Sequence, residues 1–363
     1  MCKYLGGFLL GNFMAVKKIA ILGLGHIGSI VELELRKYEK HGTGLIDPTN
    51  TLEVFGYDLS NGVDFSDPKT IPVLLDGMDA VIATTPYMFN HQIAKTAAEQ
   101  NVAYFDVTED VETTKLIEEM DSEAPMVPQC GLAPGMVSIL ANTMADTFDE
   151  VDKIEIRVGA LPQSPNNHMR YNFTWSTIGL INEYCNECHE LENSTLITRP
   201  PLSNPEKIIL NGMDLEAATT SGGIGTLAES WCGTAKTVNY KTIRYPGHFD
   251  YMRFLRDDLK MADNKELFKT LFDNAVPRIS NDLILIAIYV TGKKDNKLVQ
   301  ESYDRLIMPK NNLTAIQLAT VSGLLAVVDV WLAGGINLGG FTTQESLNYD
   351  QIVKSIYSKV YLA

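Results

Sequence analysis

The chain has 363 residues, about two domains at roughly 150 residues each, so a single small module is excluded. Hydrophobic residues make up 45% and charged residues 21%, which excludes a disordered chain. A net charge of −15 argues against nucleic acid or an anionic membrane as partner, and cationic or zwitterionic small molecules suit such a surface better.

Residues 1–13 (MCKYLGGFLLGNF) lack a clear cleavage site and read as an extension, 1–14, ahead of a more natural start at Met14. Cysteines at 2, 130, 185, 188 and 232 are too scattered for a disulfide framework, so a reducing, cytoplasmic setting is expected. The longest apolar runs, near 283–290 and 321–333, fall short of the roughly 18–20 residues that span a bilayer.

From residue 16 the chain reads as a βαβ unit. KIAILG at 18–23 is a short apolar run of the kind buried on both sheet faces, and a helix follows from Gly28 with Ile30, Val31, Leu33 and Leu35 as its apolar set. Strands are expected at 52–57, 79–84, 102–107 and 126–129, with helices at 91–100 and 135–147. This alternation implies an α/β fold with a doubly wound parallel sheet over 15–150. Near Asp149 the texture changes. KIEIRV at 153–158 alternates polar and apolar residues, as a half-solvated antiparallel strand does, and similar runs recur at 207–210, 237–243 and 283–290. We read 151–312 as a second, α+β domain, and 313–363, with a long apolar helix at 314–332, as a return to the first.

Gly23-Leu24-Gly25-His26-Ile27-Gly28 is G-x-G-x-x-G between a buried-type strand and a helix, the context a dinucleotide site requires. Gly23 permits the turn, Gly25 the approach of a pyrophosphate, and Gly28 close helix packing. His26 and Ile27 complete the turn. Asp58 ends the second strand, where a carboxylate would bind both ribose hydroxyls and repel a 2′-phosphate, favouring NAD over NADP. It stands 30 residues past Gly28 rather than about 20, the excess falling in 40–50; the alternative is that Asp58 merely opens a turn. Three loops should meet at the carboxyl edge of the sheet: Thr84-Thr85-Pro86, Asp106 to Glu109, and Cys130-Gly131 onward.

In the second domain, Arg244-Tyr245-Pro246-Gly247-His248 sets a cation that can fork onto a carboxylate four residues from an imidazole. A turn-capping Arg with a surface His is the equal alternative. Cys185-Asn186-Glu187-Cys188-His189 matches C-x-x-C-H, but haem attachment of that type needs export, no second ligand pair completes a zinc site, and no metal is expected. The N-x-S/T sequons at Asn172, Asn193 and Asn312 are empty without secretion.

Taken together, GLGHIG (23–28), TTPYMFN (84–90), FDVTED (105–110), CGLAPGM (130–136), GALP (159–162), YNFTWS (171–176), LINEY (180–184), GTLAE (225–229) and KTIRYPGH (241–248) resemble the saccharopine dehydrogenase family, most like its short lysine 6-dehydrogenase and carboxynorspermidine dehydrogenase branch. The resemblance implies a Rossmann domain with an inserted α+β substrate and dimerisation domain, and a homodimer. It further implies a nicotinamide cofactor, an amine or amino-acid substrate, and oxidation or formation of a C–N bond. On that basis Arg244 would hold a substrate carboxylate, His248 or Asp106 would move the proton, and Tyr171 and Glu183 would meet the amine. Reductive condensation of an aldehyde with a diamine, and a non-catalytic dinucleotide-binding regulator, are the rival readings. Family saccharopine reductases carry an acidic residue where this chain has Ala133 and an Arg where it has Thr177-Ile178, which argues against saccharopine itself. Cys185-Asn186-Glu187 stands in place of the family's Thr-Arg-Pro, so the haem-like pattern reads as local drift.

Overall fold

The computed structural model describes residues 16–41, 51–337 and 339–362. The expected N-terminal extension and most of the long 40–50 loop lie outside these residues.

The first sheet contains β1 (Val16–Leu22), β2 (Thr51–Tyr57), β3 (Ala80–Ala83), β4 (Ala103–Asp106) and β5 (Pro125–Val127). The second is built from β6 (Glu150–Pro162), β7 (Cys188–Glu192), β8 (Thr195–Arg199), β9 (Glu206–Leu210), β10 (Met213–Thr219), β11 (Thr237–Arg244), β12 (Asp282–Lys294) and β13 (Lys297–Ile307). The chain then returns to the first sheet as β14 (Gly340–Phe341), which pairs with β5. Among the described residues the first sheet runs β14-β5-β4-β3-β1-β2, and its pairs are parallel.

Successive side chains of a strand point to opposite faces, and each face of this sheet is covered. Ile19, Ile21, Ile82, Phe105 and Val127 pack on one side with the helices Gly28–His41 and Met136–Ala145. Ala20, Leu22, Val81, Tyr104 and Met126 pack on the other with Asn90–Glu99. Leu22 lies opposite Tyr57 in the β1–β2 ladder, so the ten extra residues before Asp58 leave the strand register undisturbed.

The second sheet corrects the antiparallel expectation, because β6 runs parallel to β11 and antiparallel to β12. It is also larger than the sequence suggested: β7, β8, β10 and β13 carry no strong apolar alternation. Ile154, Ile156 and Val158 of β6 and Ile284, Ile286 and Ile288 of β12 belong to the same core as the first sheet. The helix Ala315–Leu332 lies in this shared core. By length and composition it is long and apolar enough to cross a membrane, unlike the shorter run read from sequence, but 67% of it is buried inside the protein. Its N-terminus is held by the Asp282 carboxylate, which accepts from Ala315 N at 2.6 Å and Ile316 N at 3.0 Å. A carboxylate there satisfies free N–H groups and complements the helix dipole.

Candidate active site

A cleft of about 520 Å³ opens where the carboxyl ends of β1, β3, β4 and β5 face β6, β11 and the helix Thr177–Cys185. His26, Ile27, Thr84, Thr85, Pro86 and Gly131 line its first-domain side. The glycine turn behaves as its sequence requires: a methyl group at Gly28 would lie 1.8 Å from the Gly23 carbonyl oxygen, and Gly23 sits at φ +94. A methyl group at Gly25 would meet nothing within 4 Å, leaving that backbone open to a ligand. Thr84 Oγ1 donates to Gly23 O at 2.6 Å, and Gln317 Nε2 donates to His26 O at 3.2 Å, so β3 and the returning helix both brace the turn.

Asp58 does both things considered for it. Its Oδ1 accepts from Ser60 N at 2.9 Å, opening a turn, and its Oδ2 accepts from Leu24 N at 2.9 Å, which places the carboxylate beside the glycine turn. Hydrogen bonds from the Ser60 and Leu24 amides hold its pKa below the usual carboxylate range. These observations fit a dinucleotide: an open backbone at Gly25, a helix N-terminus beyond Gly28, and an anion at the end of β2.

On the second-domain side, Glu183 and Arg244 line the cleft together. Arg244 Nη2 donates to Glu183 Oε2 at 3.2 Å, Nε to Tyr184 Oη at 2.7 Å and Nη1 to Ile243 O at 2.9 Å. Glu183 Oε1 accepts from Thr242 and, at 3.2 Å, from Thr220. The guanidinium lies 5.2 Å from the Tyr171 ring centroid. Tyr171 is fully buried and supports Arg244 from outside the cleft.

His248 is corrected. It has no exposed surface and does not line the cleft. Met169 O can only accept, so the Nδ1 contact at 2.9 Å puts the proton there, and Nε2 then accepts from Tyr184 Oη at 3.1 Å. Burial, aided by the Arg244 charge, lowers its pKa to about 3. A neutral imidazole closed at both nitrogens orients Tyr184 and exchanges no proton with the cleft.

Asp106 is corrected likewise. Its carboxylate is fully buried and accepts from Tyr104 Oη at 2.6 Å, Gln129 N at 2.8 Å, Thr108 N at 3.0 Å and Asn90 Nδ2 at 3.2 Å. Burial raises its pKa despite these donors. Asn90 Oδ1 in turn accepts from Thr85 Oγ1 at 3.0 Å, so Asp106 ties together the loops after β3, β4 and β5. It shapes the cleft without entering it.

Glu109 and Arg278, to which the sequence assigned no role, also line the cleft. Glu109, in the loop after β4, lines the cleft beside Glu183. Burial, then the charges of Glu183 and Asp110, push its pKa well up. Arg278 lines it from the second domain, donating to Trp175 O at 2.8 Å and Thr177 Oγ1 at 3.1 Å. The loop of Glu109 was legible, but nothing distinguished this carboxylate from Asp110, which caps a helix by accepting from Thr113 N. Arg278 precedes β12 and belongs to no motif. Cys185 ends a helix and Cys188 opens β7, and no metal-binding cluster of His, Cys, Asp and Glu occurs among the described residues.

Fold and site define a two-domain α/β protein of dehydrogenase build, with a dinucleotide-type domain facing a mixed-sheet domain across a polar cleft. The chain belongs to the saccharopine dehydrogenase family, since the family model for the saccharopine dehydrogenase C-terminal domain matches residues 131–357. Alpha-aminoadipic semialdehyde synthase from Mus musculus is 25% identical over 281 residues, 72% of this chain and 30% of that protein. The same protein from Rattus norvegicus is 26% identical over 310 residues, 78% of this chain and 32% of that one, so the chain spans about a third of the length of these relatives. Among solved structures, saccharopine dehydrogenase (L-Glu forming) from Saccharomyces cerevisiae matches with a TM-score of 0.68 at 13% identity, covering 93% of this chain and 96% of that one. Homospermidine synthase from Legionella pneumophila, solved with NAD, matches at 0.60 with 12% identity, covering 96% and 90%. These two likenesses establish the fold.

Proposed function

We propose that the protein is an NAD-dependent oxidoreductase, with NADP as the lesser alternative, acting on the C–N bond of a basic amino acid or related amine. The observation that carries this reading is the juxtaposition, in one cleft, of a dinucleotide-type glycine turn with a second-domain wall bearing Glu183, Arg244 and Arg278. The amides at the start of the helix Gly28–His41 and the open backbone at Gly25 would hold the pyrophosphate, Asp58 the adenosine ribose, and Thr84, Thr85, Pro86 and Gly131 the nicotinamide end. When bound, the nicotinamide supplies the hydride acceptor for the amine-bearing carbon.

The cleft residues divide the remaining work. Arg244 is balanced by Glu183, whereas the Arg278 charge is only partly met by Asp273 at 3.9 Å, a carboxylate already bound by Lys269 at 2.6 Å. We therefore move the substrate-carboxylate role from Arg244 to Arg278. The Glu183–Arg244 pair forms a rigid polar wall against which the substrate is oriented. The same reading expects a cytoplasmic homodimer, with contacts through the second domain, which sedimentation would measure.

The test is a titration of NADH and NADPH followed by a turnover panel. NAD reduction with lysine and other amines is the expected outcome. NADH consumption with an aldehyde plus a diamine would favour the condensing direction, and tight NADH binding with no turnover on any amine would make the protein a regulator.

A further inference from the structure

We infer that the Glu109 carboxylate and the Trp175 indole, which converge over Gly179 on the cleft wall, form a seat for the primary ammonium of the substrate. The inference deepens the amine reading above and rests on it for the identity of the ligand as a substrate.

Three observations converge. The first is the convergence of the two groups on one wall position that carries no side chain. A methyl group at Gly179 would lie 2.5 Å from Trp175 Cζ3 and 2.7 Å from Glu109 Oε1, so carboxylate and indole come within about one atom's width of the same point. All three residues line the cleft. The backbone that carries the indole is held in place, because Arg278 donates to Trp175 O and Ser176 caps the helix Thr177–Cys185 by accepting from Gly179 N at 3.2 Å.

The second is the charge balance. Glu183 is matched by Arg244 and two threonines, and Asp110 by its helix amide. Arg278 faces Asp273 and Trp175 O. Among the described residues, no side-chain hydrogen bond or ion pair reaches the Glu109 carboxylate. A carboxylate half-buried in a cleft wall without a cation is costly, and a ligand ammonium removes that cost. The raised pKa of Glu109 has the same origin. The third is chemical complementarity: an ammonium gains from a carboxylate through charge and from an indole through its π-face, while a neutral tail gains neither.

The test is calorimetric titration of the full chain loaded with NADH. Lysine and 1,5-diaminopentane are the probes, and norleucine and 1-pentanol are the uncharged-tail controls. The expected result is at least tenfold tighter binding of the charged probes, a preference lost in Glu109→Gln and in Gly179→Ala, whose added methyl would collide with both groups and push them apart. Undiminished preference in either folded variant overturns the inference, as does absence of preference in the wild-type protein. Failure of the functional reading is distinguishable, because a protein that turns over no amine while keeping a Glu109-dependent preference retains the seat and loses the dehydrogenase assignment.

Discussion

Arg244 Nη2 and Glu183 Oε2 lie 3.2 Å apart with side chains only 2% and 7% exposed, a buried pair that brings β11 and the helix Thr177–Cys185 together at the cleft wall. Neither charge has solvent to fall back on, so removing one strands the other. Arg244→Ala and Glu183→Gln should each lower unfolding stability by about 3–5 kcal/mol, measured by urea denaturation. Replacing both with apolar residues should cost less than either single change. Equal and additive losses would show that the two side chains act independently.

If Arg278 rather than Arg244 receives the substrate carboxylate, Arg278→Ala should raise KM for amino-acid substrates about tenfold or more while leaving diamines, which lack the carboxylate, nearly unchanged. Steady-state kinetics with a matched amino acid and diamine decides this. An equal effect on both classes would return the role to Arg244.

His248 and Glu109 give opposite pH dependences. His248 is lowered from 6.5 to about 3, so the unfolded chain binds the extra proton. The stability tied to its neutral form is complete above about pH 6.5 and is lost as pH falls toward 3, by up to about 1.4 kcal/mol per pH unit. Glu109 is raised above 4.5, so its contribution is complete below that value and declines as pH rises. Melting temperatures from pH 3.5 to 8.5 should show a shallower acid decline for His248→Gln and a shallower decline on the neutral side for Glu109→Gln, each relative to the wild-type protein.

Asp58→Ala should weaken NADH binding and narrow the preference over NADPH, since it removes both the ribose acceptor and the charge opposing a 2′-phosphate. It also removes the acceptor for Leu24 N and Ser60 N, costing about 1 kcal/mol of local stability. Fluorescence titration with both cofactors measures the change. An unaltered ratio would leave Asp58 as a turn residue.

Much of the first domain was legible because its signals are local. A strand buried on both faces reads as a continuous apolar run, and the glycine turn packs on itself within six residues, Gly28 against the Gly23 carbonyl. The second sheet was harder. β13 is mostly exposed and β7 short, and a half-buried strand in a mixed sheet leaves a weak period. The motif 241–248 holds Arg244, which lines the cleft, but four residues of sequence separation said nothing about direction. The strand end carries Arg244 to the cleft, while the helix His248–Arg253 starts behind Tyr184 and takes His248 away from it.

The sequence by itself determined the two-domain α/β class, the dinucleotide-type turn and the family, since each depends on residue types at short, fixed spacings. Only the tertiary structure decided which charges are spent and which are free. Glu183 is matched by a residue 61 positions away, Asp106 by donors up to 23 positions away, and Glu109 meets Gly179 across the interdomain cleft. Whether a carboxylate is neutralised, desolvated or open to a ligand depends on what folding brings within a few ångströms of it, and no local periodicity in the chain encodes that distance.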